Sequence, residues 1–125
     1  MDPVWEGAVT NGDVDAVRDL IGAGADVDAR DRYGQTALML AAHGGHRAIV
    51  ALLVERGAAL DVSAKYGLSA LMLAIVAGHA DVARLLARAG ADLRLRGTGA
   101  PGFAGKTAYD LARERGMDDL CGELR

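Results

Sequence analysis

Residues 31–63 read DRYGQTALMLAAHGGHRAIVALLVERGAALDVS, and residues 64–96 read AKYGLSALMLAIVAGHADVARLLARAGADLRLR. The second stretch restates the first. Gly34 and Gly67, Leu38 and Leu71, Gly45 and Gly78, His46 and His79, Leu53 and Leu86, and Gly57 and Gly90 lie one 33-residue period apart. A repeat of this length marks a chain of stacked supersecondary units, none of which buries its apolar face alone. In residues 31–63, Ile49, Val50, Leu52 and Leu53 recur at helical spacing, which predicts a helix over about Arg47 to Arg56. A shorter helix from about Ala37 to Gly44 precedes it, and the glycines between and after the helices take the left-handed turn that ends each one.

One period back from Gly45, Leu53 and Gly57 stand Gly12, Leu20 and Gly24, so residues 1–30 form a first unit without its leading turn. They are expected to cap the stack, with Trp5 plugging the place of Leu38. At the other end, Gly105, Thr107, Tyr109, Leu111 and Gly116 match Gly67, Ser69, Leu71, Leu73 and Gly78 only if five extra residues are allowed. The insertion lies within Gly97 to Ala104, GTGAPGFA, a turn-forming composition expected to make a longer finger. Lengthening a surface loop by so little costs well under about 1 kcal/mol of closure entropy. The charges Arg113, Glu114, Arg115, Asp118, Asp119 and Glu123 close the far end, and Cys121 aligns with inward positions.

The period, the opening Asp31-x-x-Gly34-x-Thr36 turn and the two short helices resemble an ankyrin repeat. The resemblance implies an all-α solenoid of stacked helix-turn-helix units with protruding β-turn or hairpin loops. The expected organisation is one domain over 1–125: a cap repeat at 1–30, repeats at 31–63 and 64–96, and a cap repeat at 97–125 carrying the insertion. The family's Thr-Pro-Leu-His is replaced by Thr36-Ala37-Leu38-Met39 and Ser69-Ala70-Leu71-Met72. Thr36 and Ser69 retain the capping hydroxyl, and each Met takes the space of the missing histidine.

Composition narrows the function. The net charge is −3 and the sequence pI about 5.5, so there is no overall basic field for nucleic acid or anionic membrane. One cysteine rules out an internal disulfide and a multi-cysteine zinc site. Apolar runs such as Ala70 to Ala77 are too short to span a bilayer, and MDPVWEGAVT has no signal-like pattern; a cytoplasmic location is expected unless an export signal has been removed. Among the cations only Lys65 and Lys106 are lysine, a bias typical, with the abundant Ala and Gly, of a GC-rich bacterial genome. His43-Gly44-Gly45-His46 offers too few ligands for a metal, and His46 and His79 recur because the unit recurs. No nucleophile elbow, phosphate-binding glycine loop or His-Glu-x-x-His motif occurs, so neither catalysis nor a cofactor is expected.

The resemblance implies recognition of a protein through the turn tips and the exposed face of the first helices. Carried onto this sequence, the candidate contacts are Arg30, Arg32, Tyr33, Gln35 and His43, then Lys65, Tyr66, Leu68 and Val76, then Arg96, Phe103 and Lys106. Arg30, Arg32, Lys65, Arg94, Arg96 and Lys106 fall on or beside the turns with Asp31 as their near counter-charge, a basic edge suited to an acidic partner. Tyr33 and Tyr66 occupy equivalent places and are expected side by side as anchors, the competing reading being that each packs on the adjacent turn. The expected function is a monomeric, non-catalytic interaction module, inhibitor-like, immunity-like or adaptor, that binds neither nucleic acid nor membrane. Self-association or a place in a larger scaffold is the alternative.

Overall fold

A computed structural model describes residues 1–125. Eight helices run in chain order: α1 Pro3–Thr10, α2 Val14–Gly22, α3 Ala37–Gly44, α4 Arg47–Glu55, α5 Ala70–Val76, α6 Ala80–Arg88, α7 Ala108–Glu114 and α8 Asp118–Cys121. The helices pack in pairs, α1 with α2, α3 with α4, α5 with α6 and α7 with α8. The odd-numbered helices form one row, α1 on α3 on α5 on α7, and the even-numbered ones a second row, so the stack has two layers. No helix is long and apolar enough to cross a membrane.

The first helix of each later pair is capped the same way. Thr36, Ser69 and Thr107 accept hydrogen bonds at the side-chain oxygen from the N–H groups of Met39, Met72 and Asp110. Thr36 and Ser69 are buried, so the cap also satisfies a hydroxyl that would otherwise be stranded. Met39 and Met72 are buried beside them, as the sequence led one to expect.

The core runs the length of the stack through Val17, Leu38, Ile49, Val50, Leu53, Leu71, Ile75, Val82, Leu86, Leu111 and Leu120. Trp5 is only 3% exposed and closes the first pair, while Cys121 is buried in the last. The indole Nε1–H of Trp5 has no hydrogen-bond partner.

Adjacent pairs are tied by bonds that themselves repeat. His46 Nε2 meets the Thr10 carbonyl at 3.2 Å, and His79 Nε2 meets the His43 carbonyl at 3.1 Å, each ring bracing the end of the preceding first helix. The carboxylate of Asp28 accepts from the Ala59 N–H at 2.9 Å, and that of Asp61 from the Asp92 N–H at 2.7 Å. Gly45 has a double reason to be glycine: its φ is +71°, and a Cβ there would sit 2.7 Å from the His79 ring. The last pair lacks this pattern. Met117 stands where a histidine would be and Arg94 where an aspartate would be, and Glu123 instead joins Arg84 and Arg88 at 2.5 and 2.6 Å.

Candidate partner-binding surface

The two full turns project from the same edge but are held differently. In the first, the Asp31 carboxylate accepts from the N–H groups of Tyr33 and Gln35, at 2.8 and 2.9 Å, and Arg30 bridges to Thr36 as an isolated antiparallel pair. The side chain of Arg30 donates from Nε to the Gly34 carbonyl at 3.0 Å and from Nη2 to the Ser63 carbonyl at 2.9 Å. Tyr33 is left 65% exposed, with the Arg32 guanidinium 5.2 Å from its ring centre.

In the second turn Ala64 replaces the aspartate, so no carboxylate can gather the loop N–H groups. The backbone closes as a 3₁₀ turn over Lys65–Gly67, and Tyr66 takes φ +63°, a left-handed conformation that no other non-glycine residue here adopts. The inserted segment stabilises it. Thr98 N–H donates to the Tyr66 carbonyl at 2.7 Å, and the Phe103 ring lies 5.7 Å from the Tyr66 ring, tilted by 37°. Lys65 Nζ stands 4.9 Å over the same ring, and Tyr66 remains 38% exposed.

The insertion is a closed loop rather than an extended finger. Gly97 and Ala104 pair as an isolated parallel bridge, Gly97 N–H donates to Lys106 and Gly105 N–H returns to Gly97. A side chain at Gly97 would run into the Phe103 backbone, so glycine there lets the loop fold back. Arg96 Nη1 donates to the Gly105 carbonyl at 2.6 Å, the counterpart of the Arg30 to Gly34 bond, preserved across the five added residues.

Beside the tips, the first helices leave a groove of about 390 Å³ lined by Thr10, Gln35, Leu40, His43, Gly44, His46 and Leu73. A smaller cleft of about 300 Å³ lies between Met1, Glu6, Asp31, Arg32 and Tyr33. Together these are an edge of cation-bearing tyrosines and a shallow groove of mixed polarity.

The family model for ankyrin repeats (3 copies) matches residues 6–96. The chain belongs to the ankyrin repeat family. Two ankyrin repeat proteins of Rickettsia felis are each similar at 46% identity over 43 residues. That stretch is 34% of this chain and 68% and 65% of theirs, so the similarity to them covers about two thirds of each relative. Ankyrin repeats are generic protein–protein interaction modules on a non-catalytic fold. The match ends at Arg96, where the ankyrin pattern is broken by the inserted loop and the last helix pair loses its histidine and aspartate bonds.

Several candidate contacts are placed otherwise than the ankyrin pattern suggested. Leu68 is 6% exposed and belongs to the core, so little of its side chain is open to a partner. Arg30 and Arg96 lie on the surface, yet their guanidinium groups are bonded to loop carbonyls and act as braces. Lys106 is paired with Glu114, which Arg115 also approaches at 3.8 Å, so its ammonium is engaged within the last unit. Phe103 is half-buried, turned back on Tyr66 instead of standing at the tip of a finger. Tyr33 and Tyr66 do not form a ring pair, since the φ reversal and Phe103 draw Tyr66 toward the inserted loop.

The remaining candidates keep some exposure: Arg32, Tyr33, His43, Lys65 and Tyr66 are exposed, and Gln35 and Val76 half-buried. Sequence reasoning missed Thr98 and Ala64. Ala64 was legible as a missing aspartate at a repeated position, whereas Thr98 gave no signal until the loop was seen to fold back.

Proposed function

We propose that this ankyrin repeat chain works as a non-catalytic binding module for a protein with an acidic surface, docked along the turn edge and the adjoining groove. The observation that carries the reading is the state of the charges. Arg32, Lys65 and Arg94 have no carboxylate within 4.0 Å, the five ion pairs of the chain lying elsewhere. The nearby aspartates, Asp28, Asp31, Asp61 and Asp92, keep their negative charge, but each is turned to accept from a backbone N–H and none pairs with these three cations. The edge therefore carries cations free to pair beside exposed tyrosine, and tyrosine and arginine are among the side chains enriched at interface hot spots. Units 1–30, 31–63, 64–96 and 97–125 act together as one monomeric platform, and a dedicated inhibitor-like or adaptor role fits a rigid surface of this kind.

Two comparisons test it. Reversing Arg32 and Lys65 to Glu should slow association with a partner captured from the native cell by about tenfold or more, since focused charge acts mainly on the on-rate. The melting temperature should stay nearly constant, and an equal loss of stability would instead make these residues structural. Lys65 should matter more than Arg32. Arg32 shares a cleft with Glu6 and Asp31, whereas their equivalents one period on are Met39 and Ala64.

A second reading, assembly with copies of itself, is favoured by the charge distribution. Residues 1–29 carry Asp2, Glu6, Asp13, Asp15, Asp19, Asp26 and Asp28 against the single cation Arg18, while residues 30–96 are net basic. Such polarity permits head-to-tail attraction. Light scattering at low salt decides: a constant monomer mass supports the module, and a mass that rises with concentration and falls with added salt supports assembly.

A further inference from the structure

The edge carries a register as well as a charge, and this inference rests on the binding role proposed above. Arg32 with Tyr33 and Lys65 with Tyr66 are the same cation–aromatic pair placed one repeat apart, at 5.2 and 4.9 Å from cation to ring centre. The turns that carry them lead into α3 and α5, which pack directly on each other, and packed helices stand about 8–10 Å apart, so the two turns recur at about that interval. A polyproline-type extended chain has three residues per turn and rises about 3.1 Å per residue, so its positions i and i+3 share a face about 9 Å apart. A strand matches poorly: its i and i+3 side chains point to opposite faces, and i and i+2 are only about 7 Å apart.

One end of this row is closed. The inserted loop stands beside Lys65 and not beside Arg32, and it sets Phe103 against Tyr66 while fixing the Tyr66 carbonyl through Thr98. We infer that the turn edge takes an extended, polyproline-like acidic segment of the partner, with carboxylates three residues apart on Arg32 and Lys65 and an apolar side chain against Tyr66 and Phe103. The cations are free to pair, since neither has a carboxylate within 4.0 Å. The segment's own stiffness lowers the ordering cost of binding.

The test uses the full chain, isotope-labelled, titrated at low salt and followed by amide shifts. The probes are the peptide Glu-Pro-Pro-Glu-Pro-Pro-Phe, its reversed sequence, and the permuted control Glu-Glu-Pro-Pro-Pro-Pro-Phe. One spaced peptide should bind about three- to fivefold more tightly than the control, the modest factor expected of one more exposed ion pair. The shifts should centre on Arg32, Tyr66 and Phe103. Lys65→Gln should remove the advantage of spacing, and Phe103→Ala should reduce affinity for the Phe-ended peptide to that of an Ala-ended one. Phe103→Leu, which keeps the loop packed, should retain most of it. Equal affinity for spaced and permuted peptides, shifts confined to the groove around His43, or no binding by any probe overturns the inference. If the captured partner is still lost on charge reversal at Lys65 while the peptides fail, the binding role stands and the register alone is wrong.

Discussion

At the scale of single residues, two histidines separate what a glycine does for its own backbone from what it does for its neighbour. Gly45 and Gly78 both close a first helix at positive φ, +71° and +86°, but only Gly45 has a ring above it; a Cβ on Gly78 would meet nothing within 4 Å. Gly78→Ala should therefore cost about 1–2 kcal/mol, the ordinary penalty of a left-handed non-glycine residue. Gly45→Ala should cost clearly more, because the Cβ must also displace His79 and break its bond to the His43 carbonyl. A double-mutant cycle with His79→Ala, read by urea unfolding, should recover part of that excess, and strict additivity would refute the contact. At the same scale, a cation near a turn is not by itself an available one. Arg30 and Arg96 were visible as cations near turns, but whether a guanidinium points into solvent or at a loop carbonyl depends on where that carbonyl ends up.

At the scale of elements, the last helix pair stands apart. The earlier pairs are joined by histidine and aspartate bonds to backbone, whereas α8 is held to α6 by Glu123 between Arg88 and Arg84. Hydrogen bonds from Arg88, then from Arg84, lower the pKa of Glu123 below its ordinary value. At the head of α7 the backbone N–H of Thr107 does the same for Asp110, against the opposing effect of burial. A depressed carboxylate pKa stabilises the folded form above the unfolded pKa and ceases to do so as pH falls through the folded value. Acid should thus loosen the C-terminal pair first, below about pH 4, where unperturbed carboxylates titrate. Hydrogen exchange should show amides of residues 108–121 losing protection before those of α3 to α6 as pH is lowered. Glu123→Gln should bring much of that loosening to neutral pH, and uniform loss of protection along the chain would contradict the assignment.

At the scale of the whole molecule, each pair touches only its neighbours, so stability is a sum along the stack and the centre couples both halves. Leu53, fully buried in α4, lies at that centre. Leu53→Ala should cost about 2–5 kcal/mol by chemical denaturation, a large share of the roughly 5–15 kcal/mol available to a protein of this kind. A cost below about 1 kcal/mol would place the side chain outside the core.

The repeat, the helix boundaries near Ala37 to Gly44 and Arg47 to Arg56, the threonine and serine caps and the inward faces of Trp5, Leu53 and Cys121 were all legible in the sequence alone. They are local matters: helical spacing decides which face is apolar, and glycine decides where a helix ends. The surface was legible only as a list of exposed-looking side chains. The burial of Leu68, the pairing of Lys106 with Glu114, the braces at Arg30 and Arg96 and the meeting of Phe103 with Tyr66 were decided by the tertiary structure. Each depends on where a loop of variable length comes to rest against another turn, and no periodicity in the chain encodes that position.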